Sequence, residues 1–437
     1  MLNLLNRPGF HKYFANTSWL LGERFLRMAV SLFVGIYVAR YLGPENFGLL
    51  SYALSFVWLF SAFLDLAHRE IIVRELVVHP DKRDVILGSA IMLRLCGAAL
   101  LGVGVFVGTL FIVNDHQTVV LISIITLGMM LQSWELIDYF FQSQVQSKYI
   151  VWVQTIQLIV VSLSKLALII WQAPLVYFAA VYLLEYALLT VLFLLLYYWR
   201  VGVFPIKYCN IIKSRELFRN SLPLLFSAMA IIIYMKIDQV MLKEIAGVKS
   251  VGIYAAAVKL CEALYPISVL VAGSLYPTII GVKKTNPVLY KVRVQQLYCL
   301  LVWGAIAMAV PTTILADLVI NILYGHEYIE SVIILKIYIW AGIFVFMSVA
   351  NIKWLIIENC QKYILLTTFL GMSSNIVCNL ILIPIYGAPG AAVATLISYG
   401  IGSYVCLLFI PRIRAGFWFA TKSLNPYLGL GFLQNHK

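Results

Sequence analysis

Apolar residues run along this chain in stretches long enough to cross a bilayer, and polar residues gather between them. A helix rising 1.5 Å per residue needs about 20 mostly apolar residues to pass ~30 Å of hydrocarbon. Twelve stretches qualify: 17–41, 46–67, 85–112, 117–140, 149–171, 174–198, 217–241, 251–279, 294–320, 332–356, 363–384 and 388–411. The breaks between them are short, the longest being Arg69–Asp84, Trp199–Glu216 and Gly281–Arg293, and none houses a soluble domain. The pattern predicts an all-α integral membrane protein with twelve transmembrane helices. Met1–Ser18 is interrupted by Arg7, His11 and Lys12 and has no small-residue cleavage site, so the first span is expected to be retained.

The polar positions fix the sidedness. With the N-terminus placed inside, cytoplasmic segments carry 21 of the 32 Lys and Arg, and outer segments carry only Lys243 and Lys249. Such an excess is what the positive-inside bias produces. One missed or invented span would swap every later loop and mix the counts. Both termini are therefore expected in the cytoplasm. The composition agrees: 62% of residues are hydrophobic and 12% charged, with a mean hydropathy of +0.92, against roughly 25% charged in soluble domains. The net charge of +13 is then a matter of topology and contact with anionic lipid, and nucleic acid is not an expected partner.

The chain echoes itself. Tyr41–Ala53 aligns with Ile245–Ala257, placing Gly43 on Gly247, Gly48 on Gly252 and Ala53 on Ala257, and Ala173-Pro174 echoes Ala388-Pro389. The echoes map spans one to six onto spans seven to twelve in the same order. An even number of spans per half gives both halves one orientation, hence a parallel repeat about an axis along the membrane normal. The expected division is residues 1–205 and 206–437. Transporters with two such halves hold their site between them.

Nine cations remain inside the spans, Arg24, Arg27, Arg40, Arg94, Lys165, Lys236, Lys259, Lys336 and Lys353, and nine acids join them, Glu23, Asp65, Glu135, Asp138, Glu185, Asp238, Glu262, Asp317 and Glu358. Each costs about 2.5–3.5 kcal/mol at bilayer depth on insertion scales, so they pair, snorkel or line a wet cavity. Glu23 with Arg27 and Lys259 with Glu262 share helix faces and read equally as structural ion pairs. Arg40, Lys336, Asp317 and Glu358 lie near span ends, where snorkelling is the default. Arg24, Arg94, Lys165, Lys236 and Lys353 have no acid one helical turn away and suit a cavity that receives an anion such as phosphate. Asp238 and Asp65 are candidates to take up a proton or sodium ion. Thr368, Gly371, Asn375 and Asn379 form a polar stripe on span eleven that fits helix contact or hydrogen bonding to a sugar.

Enzyme signatures are missing: the sequence holds no GxGxxG, Walker A, HExxH or GxSxG. No cofactor or metal is expected, and the seven scattered cysteines form no CxxC pair, reading as small apolar residues. Transport without a nucleotide site would run on an ion gradient or on downhill flux.

Trp19–Ser55, with Glu23, Arg27, the run Ala39–Glu45 and Phe47-Gly48, resembles the start of bacterial polysaccharide flippases, the O-antigen or Wzx-type transporters of the polysaccharide transport family. Val73–Leu76, Ile237-Asp238, Val251–Ala255, Lys259-Leu260, Ile383-Pro384 and Gly387–Ala392 extend the resemblance over nearly the whole chain. It implies a fold like the multidrug and toxin extruders (MATE), two six-helix lobes facing a central cavity. It also implies flipping of an undecaprenyl-pyrophosphate-linked oligosaccharide from the cytoplasmic to the periplasmic leaflet of the bacterial inner membrane. Lipid-linked oligosaccharide, membrane lipid and the polymerase and chain-length regulator of lipopolysaccharide assembly are the implied partners. Glu23, Arg27, Arg40, Arg74, Asp238 and Lys259 carry over by motif, whereas Lys165, Lys236 and Lys353 rest on the charge argument. The combined expectation is a substrate site from Arg24, Arg27, Arg94, Lys165, Lys236, Lys259, Lys353, Asn375 and Asn379, with ion coupling among Glu23, Asp65, Asp238 and Glu262. A MATE-like drug or metabolite exporter and a membrane glycan polymerase are the rival readings.

Overall fold

The computed structural model describes residues 8–202, 205–283 and 285–425. Both chain ends, and with them the expected sidedness of Arg7 and Lys437, lie outside the described residues. The described residues form helices and turns without a strand. In order the helices are α1 (Pro8–Leu59), α2 (Arg69–Val78), α3 (Arg83–Ile112), α4 (His116–Leu131), α5 (Leu136–Ser143), α6 (Ser147–Ile170), α7 (Leu175–Val201) and α8 (Ile211–Ala246). They continue as α9 (Val248–Glu262), α10 (Tyr265–Lys283), α11 (Pro287–Leu323), α12 (Ser331–Ile357), α13 (Lys362–Gly400), α14 (Cys406–Phe409) and α15 (Arg414–Ser423).

Among the described residues, ten continuous helical segments are long and apolar enough to cross a membrane. Two of these, Gly22–Val78 with 57 residues and Lys362–Phe409 with 48, are each more than twice the ~20 residues of a single crossing. Both are broken by a glycine in a non-helical conformation, Gly43 at φ 70°, ψ 171° and Gly387 at φ 59°, ψ −133°. Only glycine takes such angles without strain. Pro44 after the first break, and Pro384 and Pro389 around the second, withhold the amide that would continue the ladder. Divided at these two points, the ten segments are compatible with twelve spans. Span four is also interrupted: a tight turn, Gln132–Glu135, separates α4 from α5.

Large apolar side chains stand bare on the outer faces, Phe111 at 85% exposure, Ile170 at 78% and Trp199 at 75%. Surface of that kind belongs in lipid, and the chain is a multi-pass membrane protein.

Contacts divide the chain into two compact units. Unit 1 takes the chain up to Tyr41 and Ala53–Ile232; unit 2 takes Leu42–Tyr52 and the chain from Ile233 onward. Unit 1 is centred on Ile72, Leu87, Ala90, Phe141, Phe193 and Tyr197. Unit 2 is centred on Ala272, Tyr298, Val302, Ala350, Trp354 and Leu407. The division runs inside α8, later than the 205/206 loop expected from sequence. The reason is apolar: Leu225, with Phe218, Leu222, Met229 and Ile232, packs on Ala62 and Leu66, which ties the first half of α8 to unit 1. All seven cysteines are free thiols.

Candidate functional site

In unit 2 the polar stripe of span eleven meets a carboxylate. Asn375 and Asn379, four residues apart, share one face of α13, and neither is exposed. Asp238 on α8, 3% exposed, faces them. Its Oδ1 accepts from Asn379 Nδ2 at 2.6 Å, and its Oδ2 accepts from Tyr254 OH at 2.7 Å and Thr395 Oγ1 at 2.6 Å. Asn379 Nδ2 also donates to Asn375 Oδ1 at 3.1 Å, and Asn375 Nδ2 to Ser398 Oγ at 3.3 Å. Four helical stretches therefore converge: α8, α9 and the legs of α13 before and after Gly387. No Lys or Arg lies within 4.0 Å of Asp238 among the described residues. Asn379 Oδ1 is buried without a hydrogen-bond partner. A carboxylate held only by neutral groups, beside an orphaned amide oxygen, is suited to a proton or to a hard cation with oxygen ligands. The stripe expected either to pack between helices or to bind a sugar is buried here, and the Nδ2 groups of Asn375 and Asn379 both donate within this network.

Unit 1 holds a second constellation. Arg27 Nε donates to Glu23 Oε1 at 2.6 Å, while Nη1 donates to Gln157 Oε1 at 3.1 Å and Nη2 to Gln154 O at 3.2 Å. Glu23 is thus the acid of a packed pair, as its four-residue spacing to Arg27 allows. Arg94, 3% exposed, donates from Nε to Leu64 O at 3.0 Å and from Nη1 to Gln132 O at 3.4 Å, with Nη2 3.6 Å from Asp65 Oδ1. It is not the unpaired cation that its own helix suggests; its acid comes from a different element, and Asp65 is engaged by it. Arg69 donates from Nε to Gln142 Oε1 at 2.9 Å, with Nη2 3.3 Å from Asp138 Oδ2.

The other cations separate by partner. Glu262, which sequence spacing sets beside Lys259, is met by Lys236 at 3.8 Å. Lys259 Nζ stands 6.0 Å from the Phe47 ring centre. Lys336 pairs with Asp317 at 2.7 Å, and Glu358 pairs with Lys283 at 3.3 Å. Lys165 lies over Tyr182 at 4.7 Å and Lys353 over Tyr276 at 5.0 Å, contacts worth about 0.5–2 kcal/mol that leave the charge uncancelled. Among the described residues, Arg24, Lys165 and Lys353 have no carboxylate within 4.0 Å. Arg24 is exposed and the two lysines are half-buried. No cluster of three or more His, Cys, Asp or Glu able to hold a metal ion occurs among the described residues. Sequence reasoning passed over Tyr254, Thr395 and Ser398. The one available signal was the three-residue spacing of Thr395 and Ser398 on an otherwise apolar helix.

Residues 13–282 match the family model described as "Polysaccharide biosynthesis protein". Curated protein sequences give no match. Among solved structures, the lipid II flippase MurJ in an inward closed conformation is similar with a TM-score of 0.72 at 16% identity, over 96% of this chain and 93% of that one. An inward-facing multidrug resistance MATE family transporter of the MOP superfamily gives 0.68 at 13% identity, over 94% and 96%. An outward-facing MATE transporter of that superfamily gives 0.60 at 13% identity, over 99% and 98%. These neighbours are transporters and flippases, not enzymes, and at such identities they establish the fold. The family model covers well over half of the sequence, and the chain belongs to the polysaccharide biosynthesis protein family, on the fold of the MOP superfamily of transporters.

Proposed function

We propose that this protein flips an undecaprenyl-pyrophosphate-linked oligosaccharide, an O-antigen or similar repeat unit, from the cytoplasmic to the periplasmic leaflet of a bacterial inner membrane. Family membership supplies polysaccharide assembly as the setting. The observation that carries the reading to an anionic cargo is the survival of Arg24, Lys165 and Lys353 within spans without a carboxylate within 4.0 Å among the described residues. A cation kept at membrane depth without a carboxylate is costly unless water or an anion meets it. Pyrophosphate is such an anion, and the polyprenyl tail stays in lipid while the head crosses. Asp238 with Asn379, Thr395 and Tyr254 is the reading's ion-coupling site, and alternating access turns ion uptake into transport. The loop cations support cytoplasmic termini.

A null mutant is the direct test. Its cells should accumulate lipid-linked repeat units inside and lack surface polysaccharide. Complementation with Lys353→Glu should leave protein level normal and surface polysaccharide absent. Normal polysaccharide with that variant removes Lys353 from the cargo path. Restored drug resistance without any polysaccharide phenotype supports the MATE-like exporter instead.

A further inference from the structure

The turn that interrupts span four carries two acids that neither the cargo reading nor the Asp238 site uses. Glu135 closes the Gln132–Glu135 turn, and Asp138 follows on the first turn of α5. Three residues apart, they share a face. Asp138 is 7% exposed, and its oxygens differ: Oδ2 is 3.3 Å from Arg69 Nη2, while Oδ1 is buried with no hydrogen-bond partner. Glu135 Oε2 accepts from Gln132 Nε2 at 3.1 Å, and the side chain is half-buried.

What surrounds these acids is a dense set of charges of both signs. α2 brings Arg69, α3 brings Arg94, the turn before α2 brings Asp65, and α1 brings Arg24 and the Glu23–Arg27 pair. Both the Arg69 and the Arg94 guanidinium lie over the Tyr139 ring, at 5.4 and 5.3 Å. α7 contributes Glu185 and Tyr186 on the Glu135 side. From α6, Gln154 and Gln157 serve Arg27, and Tyr149 packs on Phe141. Counting Glu23, Asp65, Glu135, Asp138 and Glu185 against Arg24, Arg27, Arg69 and Arg94, the group carries one excess negative charge when every member is ionised. One proton on the acid pair cancels that excess. A proton on Asp138 also removes the charge that holds Arg69, whose side chain is already 42% exposed.

We propose that Glu135 and Asp138 form a proton-binding site that sets the charge of the arginine cluster around them, so that proton uptake in unit 1 releases Arg69 to bind an anionic headgroup. This goes beyond the coupling assigned to Asp238, uses different residues in a different unit, and rests on the anionic-cargo reading for its ligand. Ionisation of the pair again restores Arg69 to Asp138 and expels the anion. The step transfers one proton and breaks no covalent bond.

Calorimetric titration of the full-length protein in nanodiscs with inorganic pyrophosphate, in buffers of different ionisation enthalpy, counts the protons taken up. Wild type should take up about one more proton per pyrophosphate than Glu135→Gln/Asp138→Asn at the same pH. Its affinity should also fall by up to about tenfold per pH unit relative to the variant, as one linked proton requires. Equal uptake and parallel pH profiles overturn the proposal. Glu135→Gln alone, at a half-buried position, serves if the double variant does not fold, and should remove part of the linkage. Difference infrared spectroscopy without any anion is the second arm. A protonated-carboxyl band that titrates in wild type and is lost in Asp138→Asn supports the site, and its absence in wild type refutes it. Failure of wild type to bind pyrophosphate while that band is present strikes the cargo reading and leaves the proton site standing.

Discussion

Gly48 and Gly252 approach each other within unit 2 so closely that neither can carry a side chain. A Cβ on Gly48 would lie 2.2 Å from Val248 O, and one on Gly252 would lie 1.9 Å from Pro44 O. The contacts are reciprocal, because Gly48 and Val248 stand in the same register to each other as Gly252 and Pro44. These are the glycines that the internal repeat aligned. Their neighbours Gly43 and Gly247 also share a backbone conformation, φ 70°, ψ 171° and φ 86°, ψ 169°. The repeat is thus visible as geometry: two equivalent helix starts cross at their glycines.

Substitution at this crossing should be costly. The clashing atoms are backbone oxygens on the facing helix, which cannot rotate away. Gly48→Ala and Gly252→Ala should each destabilise by about 1–3 kcal/mol, the range for overpacked sites. Thermal unfolding of purified protein followed by size-exclusion fluorescence measures the difference. Gly304→Ala, at a helical position where nothing lies within 4 Å, is the control and should be neutral or stabilising by up to about 1 kcal/mol.

Arg94 and Arg24 should separate folding from function. Arg94 is buried and serves two carbonyls and Asp65 on different segments. Arg94→Ala strands all three acceptors, at a cost of about 3 kcal/mol, the low end for a broken buried pair since Asp65 retains some solvent. Arg94→Lys should recover little, because a single ammonium cannot match the guanidinium fork. Both variants should lower the amount of protein in the membrane. Arg24→Ala, at an exposed site, should leave level and unfolding temperature unchanged and reduce polysaccharide export. Loss of stability at Arg24, or none at Arg94, would reverse these assignments.

The Asp238 network predicts an ion response that one atom controls. Asp238→Asn keeps the shape and removes the charge. Wild type should be stabilised by the coupling ion, sodium or proton, by up to about 2.7 kcal/mol at a hundredfold excess over its dissociation constant. Asp238→Asn should show no such shift. Thr395→Val, which removes one hydroxyl from Asp238 Oδ2, should weaken the response about 10–100-fold while leaving it detectable, the usual effect of losing a supporting ligand contact. Unfolding temperature against sodium concentration at fixed pH, and against pH without sodium, reads both and names the ion.

Sequence sufficed for whatever repeats along a single helix. The apolar runs placed gaps at 42–45 and 385–387, where Gly43 and Gly387 do interrupt the long helices, and the four-residue spacing found Glu23 with Arg27. It failed wherever partners come from different helices. Arg94 and Asp65 are 29 positions apart, and Lys236 and Glu262 are 26 apart; the one-turn rule is blind to such pairs. Asp238 was legible as an unusual acid, yet its ligands sit 141 and 157 residues on. Only the folding of α13 at Gly387 brings Asn379 and Thr395 to it together. The same blindness made the spans look more cationic than they are: Arg94 and Lys236 drop out of the unpaired set, leaving Arg24, Lys165 and Lys353.

The last helix offers a test of how unit 2 is closed. α15 lies against α11, and its end is held by side chains from elsewhere: Gln295 Nε2 donates to Phe419 O at 3.0 Å and Trp303 Nε1 to Ser423 O at 3.0 Å. Tyr298 stacks on Phe419, with ring centres 5.8 Å apart. A Cβ on Gly416 would lie 2.9 Å from the Trp354 ring, so the helix rests directly on the unit 2 core. Trp303→Phe keeps most of the apolar contact and removes one hydrogen bond; it should cost about 1 kcal/mol. Gly416→Val pushes the helix off Trp354 and should cost about 1–3 kcal/mol. If α15 is part of the unit 2 fold, the two substitutions together should fall short of the sum of their separate effects, because once the helix is displaced the Trp303 bond is already lost. Full additivity in the double-mutant cycle would mean that α15 stays seated when Gly416 is filled.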